Sequence, residues 1–168
     1  MKTLPAAALA VLWMAAFGEL AAVAPIERKA LAEAGSAEVL ARGEVQLSPA
    51  AFPEGVRLVV REQKGLATLL GSEDNAKAVA QAAAAFGVKT IDFEKEMIVA
   101  VSAGPVRERL LKLDVSRLSV VDGSMQVEWA ITRMMGRAAD PLRHPVRLVL
   151  VKRFPGEVVF LSPIESLR

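Results

Sequence analysis

The chain of 168 residues contains no cysteine, no tyrosine and only one histidine, His144. The missing thiols exclude disulfides, thiol nucleophiles and thiolate metal sites, and they also exclude a lipid anchor on cysteine. The sequence has no Gly-x-Ser-x-Gly elbow, no His-Glu-x-x-His motif and no phosphate-binding glycine loop. These observations predict a protein that is not an enzyme and that has no cofactor and no metal site.

Positive and negative charges nearly balance, because the formal net charge is only +2. So small an excess does not point to nucleic acid as the main ligand. The distribution is uneven, since residues 129–168 carry seven Lys and Arg against three Asp and Glu. The C-terminal part is therefore expected to present a basic face.

An apolar run opens the chain but stops before it is long enough to cross a bilayer. Leu4–Phe17 follows Lys2 and ends at Gly18, short of the roughly 20 apolar residues that a membrane span needs. A short positive start, an apolar segment and a small-residue boundary are typical of a signal peptide, which we assign to residues 1–24. The protein is then expected to be periplasmic or secreted. The alternative is anchoring by an uncleaved N-terminal segment.

The remainder divides into a linker or edge segment, residues 25–50, and one domain, residues 51–168. Val56–Arg61 predicts a strand, and Ser72–Gly87 predicts a helix that Ser72 caps and Gly87 terminates. After Glu96 the hydrophobic period changes from that of a helix to two, which indicates strands.

"MIVAV" at Met97–Val101 predicts a strand that is apolar on both faces. "RLLKLDVS" and "MQVEWAIT" alternate around Asp122-Gly123, a strong hairpin signal, and the alternation places Trp129 in the core. A last hairpin surrounds Pro155-Gly156. The sequence therefore predicts a mainly β (α+β) fold: an antiparallel sandwich or barrel-like sheet of about six strands with one capping helix.

Few residues are candidates for chemistry. Asp92, Glu94 and Glu96 alternate, which would place three carboxylates on one side of an extended segment, where they could hold Ca²⁺. Lys95 lies among them, and charges beside a strand commonly protect an edge, so the favoured interpretation is a solvated strand entrance. A metal-dependent hydrolase built on these carboxylates and His144 is the minor alternative. His144 itself is expected to be structural or exposed.

Met97–Lys152 resembles the C-terminal domain of the protease complex subunit PrcB family. The resemblance rests on "DFEKEMIVAVSAG", on the Asp122-Gly123 hairpin and on a long loop that leads into "HPVRLVLVKR". Gly104 matches a glycine of that family's loop, whereas its Gly-Gly-Tyr positions hold Arg109, Leu110 and Leu111 here. The resemblance implies a non-catalytic accessory or stabilising subunit of an extracytoplasmic protease complex. The same loop is also similar to that of chagasin-like protease inhibitors, which gives the alternative function.

The partner is expected to be a protein, bound through two loops at one end of the sheet, and the resemblance implies an exported protease. These loops follow Met97–Val101 and precede Val146–Arg153. Whether they are neighbours depends on the strand order, which only the resemblance implies. The candidate contact residues are Gly104, Arg107, Arg109, Arg133, Arg137 and Arg143.

The signal-peptide assignment makes a direct prediction about the exported protein. Cleavage at the small-residue boundary should give a mature chain that begins between about residues 22 and 33. N-terminal sequencing of protein recovered from the envelope or the medium measures this start. Recovery of a chain that begins at Met1 in the cytosol would contradict both the cleavage and the export.

Overall fold

A computed structural model describes residues 35–106, 112–133 and 142–167. The described residues belong to a compact unit that starts at Gly35. Some sequence predictions fall outside these ranges: the signal peptide at residues 1–24 and the candidate contact residues Arg107, Arg109 and Arg137.

Nine strands and two helices make up the described part of the chain. The strands are β1 (Gly35–Ser36), β2 (Val39–Gln46), β3 (Val56–Val60), β4 (Glu96–Ser102), β5 (Lys112–Val121), β6 (Ser124–Arg133), β7 (Pro145–Lys152), β8 (Val158–Phe160) and β9 (Ile164–Leu167). The helices are α1 (Gln63–Leu70) and α2 (Asn75–Phe86). The predicted mainly β class with a helical cap is confirmed, but the described residues form nine strands and two helices, where about six strands and one helix were predicted.

The strands form two separate sheets. We call the first the outer sheet: its order is β1-β5-β6-β8, and β9 also pairs with β6. The second, the middle sheet, has the order β2-β7-β4-β3. The pairings are antiparallel except those of β6 with β8 and β9, which are parallel. The predicted sandwich is therefore confirmed, with sheets that are mainly antiparallel and that do not close into a barrel. The hairpin predicted around Pro155-Gly156 is wrong, because β7 and β8 lie in different sheets.

The middle sheet is buried on both faces, as the unbroken apolar run of β4 predicts. Ile98 and Ala100 pack with the helices in one core, whereas Met97, Val99 and Val101 pack with the outer sheet in a second core. All five side chains are inaccessible to solvent. The three layers are thus helices, middle sheet and outer sheet, with β4 and β7 at the centre.

The outer sheet shows the alternation that its sequence predicts. Met125, Val127, Trp129 and Ile131 of β6 are buried against the middle sheet, and the Trp129 indole donates a hydrogen bond to the Leu161 carbonyl at 2.9 Å. The core position predicted for Trp129 is confirmed. A bulge between Val115 and Arg117 shifts the register of β5, so Leu118 returns to the inward face instead of Arg117.

The two helices differ in how clearly their ends are encoded. The cap of α2 is Asp74, whose carboxylate accepts from Ala76 N at 2.8 Å and Lys77 N at 3.2 Å. Ser72 was predicted for this role and instead bonds to the Asp74 backbone. Gly87 ends the helix in a left-handed conformation, as predicted. Helix α1 was not predicted from the sequence, and the Glu62 side chain at its start makes no capping hydrogen bond.

The Asp122-Gly123 turn gives a prediction about stability. Both residues have positive φ, 50° and 76°, as a two-residue primed turn requires. An added Cβ at Gly123 would meet nothing within 4 Å, so only the backbone conformation restricts a substitution. Gly123→Val should lower the free energy of unfolding by roughly 1–2 kcal/mol in urea titrations. Gly123→Asn is the control and should lose less, because Asn adopts this conformation more readily. Equal losses from the two variants would contradict the explanation.

Candidate protein-contact site

The segments that follow β4 and precede β7 meet at one end of the middle sheet. Val106 N donates to the Arg143 carbonyl at 2.7 Å, and Arg143 N donates to the Val106 carbonyl at 2.8 Å. This antiparallel bridge extends the β4–β7 pairing beyond the two strands. The described ends of the two predicted loops are therefore neighbours, a point that the sequence alone left open.

Cations of the outer sheet lie at the same end of the sandwich. Lys112 is the first residue of β5 and pairs with Thr132, next to Arg133 at the end of β6. The start of β5 lies near the start of β7, because Asp114 Oδ1 is 3.7 Å from Arg147 Nη2. We call Lys112, Arg133 and Arg143 the basic end. Lys112 and Arg143 are exposed, whereas Arg133 is partly buried.

Gly104 fixes the path of the chain into this end rather than offering a side chain. It is buried, has a φ of 93°, and an added Cβ would lie 2.9 Å from the Pro53 carbonyl oxygen. Its backbone N–H donates to Ser102 Oγ at 3.1 Å. The close approach of the Pro53–Gly55 turn thus requires glycine at this position.

His144 follows the bridge and is completely buried. Its backbone carbonyl accepts from Leu47 N at 3.0 Å, yet neither imidazole nitrogen has a hydrogen-bond partner in the described ranges. Leaving a buried polar group unpaired costs about 1–3 kcal/mol. His144 was expected to be either structural or exposed. It is buried inside the fold, so it is structural and its imidazole is out of reach of a substrate.

The acidic stretch at Asp92–Glu96 forms a turn, so the predicted extended arrangement was wrong. Glu96 Oε2 accepts from Asp92 N at 2.9 Å, and Asp92 Oδ1 accepts from Glu94 N at 3.0 Å. Lys95 Nζ lies 3.0 Å from Asp92 Oδ2. Two of the three carboxylates therefore serve as hydrogen-bond acceptors within the turn, which explains their spacing without a cation.

His144 does not approach these carboxylates. Glu96 pairs with Lys152 at the far end of β7, whereas His144 directly precedes β7. At about 3.3 Å per residue, the eight positions between His144 and Lys152 correspond to about 26 Å. Within the described segments, no three acidic or histidine side chains are arranged to hold a metal ion.

A cluster of charged residues that the sequence analysis missed lies between the two sheets. Arg42 Nη1 is 3.5 Å from Asp114 Oδ1, the atom that Arg147 Nη2 also approaches. Arg42 Nη1 additionally donates to the Val115 carbonyl. These residues come from β2, β5 and β7, which are distant in sequence. The only local signal was the alternation of Arg42, Glu44 and Gln46 along β2.

The acidic turn makes a prediction about pH. The hydrogen bond and ion pair from Lys95, followed by the backbone N–H of Glu94, lower the pKa of Asp92. A lowered pKa means that the stabilisation is present at neutral pH and is lost as the pH falls through the folded-state value. Carboxyl-carbon NMR titration should give an Asp92 midpoint below the ordinary value, and Lys95→Gln should raise it. Lys77→Gln is the control and should leave the midpoint unchanged. An Asp92 midpoint unaffected by Lys95→Gln would contradict this assignment.

Comparison with known proteins found no relative of this chain. No family model, no curated protein and no solved structure matches the chain. Neither helix in the described segments has the length and apolar character that crossing a bilayer requires.

Proposed function

We propose that the chain is an exported, non-catalytic protein-binding domain that contacts its partner through the basic end. The observation that carries this proposal is the Val106–Arg143 bridge, which brings the described end of the segment after β4 together with Arg143 at one end of the sandwich. By its resemblance to the PrcB family, the domain would be an accessory or stabilising subunit of an extracytoplasmic protease complex. An exported protease is the partner that this resemblance favours.

The physical argument begins with the scaffold. The bases of both segments attach to β4 and β7, whose side chains are fixed by two cores. Contact residues at the end of such a scaffold lose little conformational freedom on binding, which favours affinity. Loops carried on rigid sheets are also common positions for binding residues.

The charge at this end favours an acidic surface on the partner. Lys112 and Arg143 are exposed and have no ion pair within the described residues. Complementary charge mainly accelerates association, and salt screens it over a Debye length of about 8 Å at physiological ionic strength. The proposal therefore expects binding whose rate depends on salt.

A protease inhibitor of the chagasin-like type is the second candidate, and it would use the same end of the molecule. Both functions place a protease against the segments joined by Val106 and Arg143. They differ in the outcome for the protease, which an inhibitor blocks and an accessory subunit leaves active.

A metal-dependent hydrolase is disfavoured by the positions of its required residues. His144 is buried at one end of β7, and Glu96 lies beside the other end. Catalytic groups need to converge within hydrogen-bond reach of one substrate. A separation of about 26 Å along β7 prevents this for these residues.

Affinity purification of the exported full chain from its native envelope separates the two binding functions. If the chain is an accessory subunit, a protease that retains its activity should co-purify with it. Removal of the chain should then reduce the amount or the activity of that protease. If the chain is an inhibitor, protease activity should fall when the purified chain is added. Recovery of the chain without any protease, in the presence and absence of a crosslinker, would overturn both.

A charge reversal tests the contact surface. Arg143→Glu should slow association with the partner by about three- to tenfold at low ionic strength, because it replaces attraction with repulsion. Surface plasmon resonance measures the rate, and the melting temperature should change little because Arg143 is exposed. Arg117→Glu makes the same charge change at an exposed position in the middle of β5 and is the matched control. Equal association rates for Arg143→Glu and wild type at low salt would exclude this end as the contact.

A further inference from the structure

The strand β3 is an edge of the middle sheet that lacks the features by which edges are usually protected. It pairs with β4 at all five of its residues in a regular register, and no other strand of the described ranges pairs with it. Its sequence, Val-Arg-Leu-Val-Val, contains no proline and no lysine. A regular apolar edge of this kind offers its free backbone groups to another strand.

The only charged residue of β3 does not shield this edge. The Arg57 guanidinium carbon lies 5.5 Å from the centre of the Trp129 ring, in a cation–π contact with the outer sheet. Leu58 points to the other face of the strand, the face that the helices cover, between Val56 and Val60. Those two valines are 1% and 3% exposed, whereas Leu58 is 40% exposed. The helices therefore leave a gap over the middle of β3.

The other edges are less suited to an added strand. In the outer sheet, β8 and β9 have only three and four residues, and β5 is partly covered by β1 and interrupted by a bulge. Helix α2 lies directly over the edge strand β2, where an added Cβ at Gly43 would be 2.7 Å from the Ala85 carbonyl oxygen. A second copy that continued the sheet there would bring two α2 helices to about 4.8 Å, whereas packed helices need about 8–10 Å.

We propose that β3 pairs with β3 of a second copy of this chain, antiparallel and around a two-fold axis at Leu58. Leu58 then lies opposite Leu58 of the second copy, Val56 lies opposite Val60, and Arg57 lies opposite Val59. The two exposed leucines cover each other, and the two four-stranded middle sheets become one continuous sheet. Such pairing is the symmetric form of β-strand addition to an open edge.

Charge and side-chain alternation select this register and a second copy as the occupant. The helices of both copies lie on one side of the joined sheet only when the axis passes through a residue, because side chains alternate between faces. An axis at Arg57 would place Arg57 opposite itself, and an axis at Val59 would place Arg57 opposite Arg61. Like charges in opposite positions are destabilising. The axis at Leu58 avoids both conflicts and pairs β3 along its whole length.

The same axis separates the α1 helices and leaves the basic end free. Helix α1 lies close to β3 at Val60, where an added Cβ at Gly65 would be 3.6 Å from Val60 Cγ1. In the pair centred on Leu58, Val60 and Val60 of the second copy are four positions apart, about 13 Å along the strands. The basic ends of the two copies then lie at opposite ends of the joined sheet, so the dimer presents two of them. Dimerisation and the proposed partner contact can therefore be measured separately.

The test is sedimentation velocity of the full mature chain from about 5 to about 500 µM, because so small an interface is expected to associate weakly. A monomer–dimer equilibrium is the expected result. Leu58→Glu should weaken dimerisation by about tenfold or more, because two carboxylates would face each other at the axis. Leu142→Glu is the matched control, since Leu142 is also 40% exposed. Its dimerisation should stay within about twofold of wild type.

Cysteine trapping tests the register, because the native chain contains no cysteine. Opposite residues of two antiparallel strands have Cα atoms about 4.5–5.5 Å apart, within the range of a disulfide. Leu58→Cys should therefore form an intermolecular disulfide under copper–phenanthroline oxidation about fivefold faster, or more, than Leu40→Cys. Leu40 is the matched position, because it has the same exposure of 40% but lies on the other edge of the middle sheet.

Three results would overturn the proposal: a chain that stays monomeric over the whole concentration range, dimerisation that Leu58→Glu leaves unchanged, or equal rates of trapping at positions 40 and 58. If Leu58→Glu fails to fold, the comparison of Leu58→Cys with Leu40→Cys decides alone. A monomeric chain whose β3 binds an extended segment of a different protein belongs to the first of these results.

Discussion

The middle sheet is apolar on both faces, and this requirement for two covers organises the other layers. Ile98 and Leu148 need the helices on one side, whereas Val99 and Val149 need the outer sheet on the other. Neither cover is sufficient alone, because an exposed face of β4 and β7 would leave a row of large apolar side chains in water. Small side chains allow α2 to lie close to β2, where an added Cβ at Gly43 would be 2.7 Å from the Ala85 carbonyl oxygen.

Covering both faces leaves only the ends and edges of the strands for polar groups. The acidic turn beside the start of β4 and the basic end beyond its last residues are consequences of that geometry. Two of the exposed edges also have features that protect them: the edge strand β2 carries Arg42 and Glu44, and the part of β5 that β1 does not cover has a bulge at Ser116. The charged groups beside the middle sheet are therefore found mainly at the ends and edges of its strands, whereas the outward face of the outer sheet carries its own charges, such as Arg117 and Glu128.

The features that the sequence predicted are those encoded within a few residues. The alternation of β6, the apolar run of β4 and the turn at Asp122-Gly123 each depend on local periodicity or local backbone conformation. Helix α1 lacked such signals, because the side chain of its N-cap residue, Glu62, makes no capping hydrogen bond and Gly65 is a poor helix former inside it. The alternation of Asp92 and Glu96 suggested an extended segment, but their carboxylates instead accept backbone N–H bonds within a turn. Side-chain acceptors at this spacing compete with strand formation.

The charged cluster was not predictable for a different reason. Arg42, Asp114 and Arg147 belong to three strands, and each one looks like an ordinary solvated residue in its own segment. They meet only because β2 pairs with β7 and because apolar packing between the two sheets places β5 over these strands. At the same place Arg147 Nε is buried and has no hydrogen-bond partner among the described residues. Apolar packing can thus fix the backbone that carries a cation without completing the hydrogen bonds of its side chain, so the position of such a cluster is a consequence of the whole fold and not of any one segment of sequence.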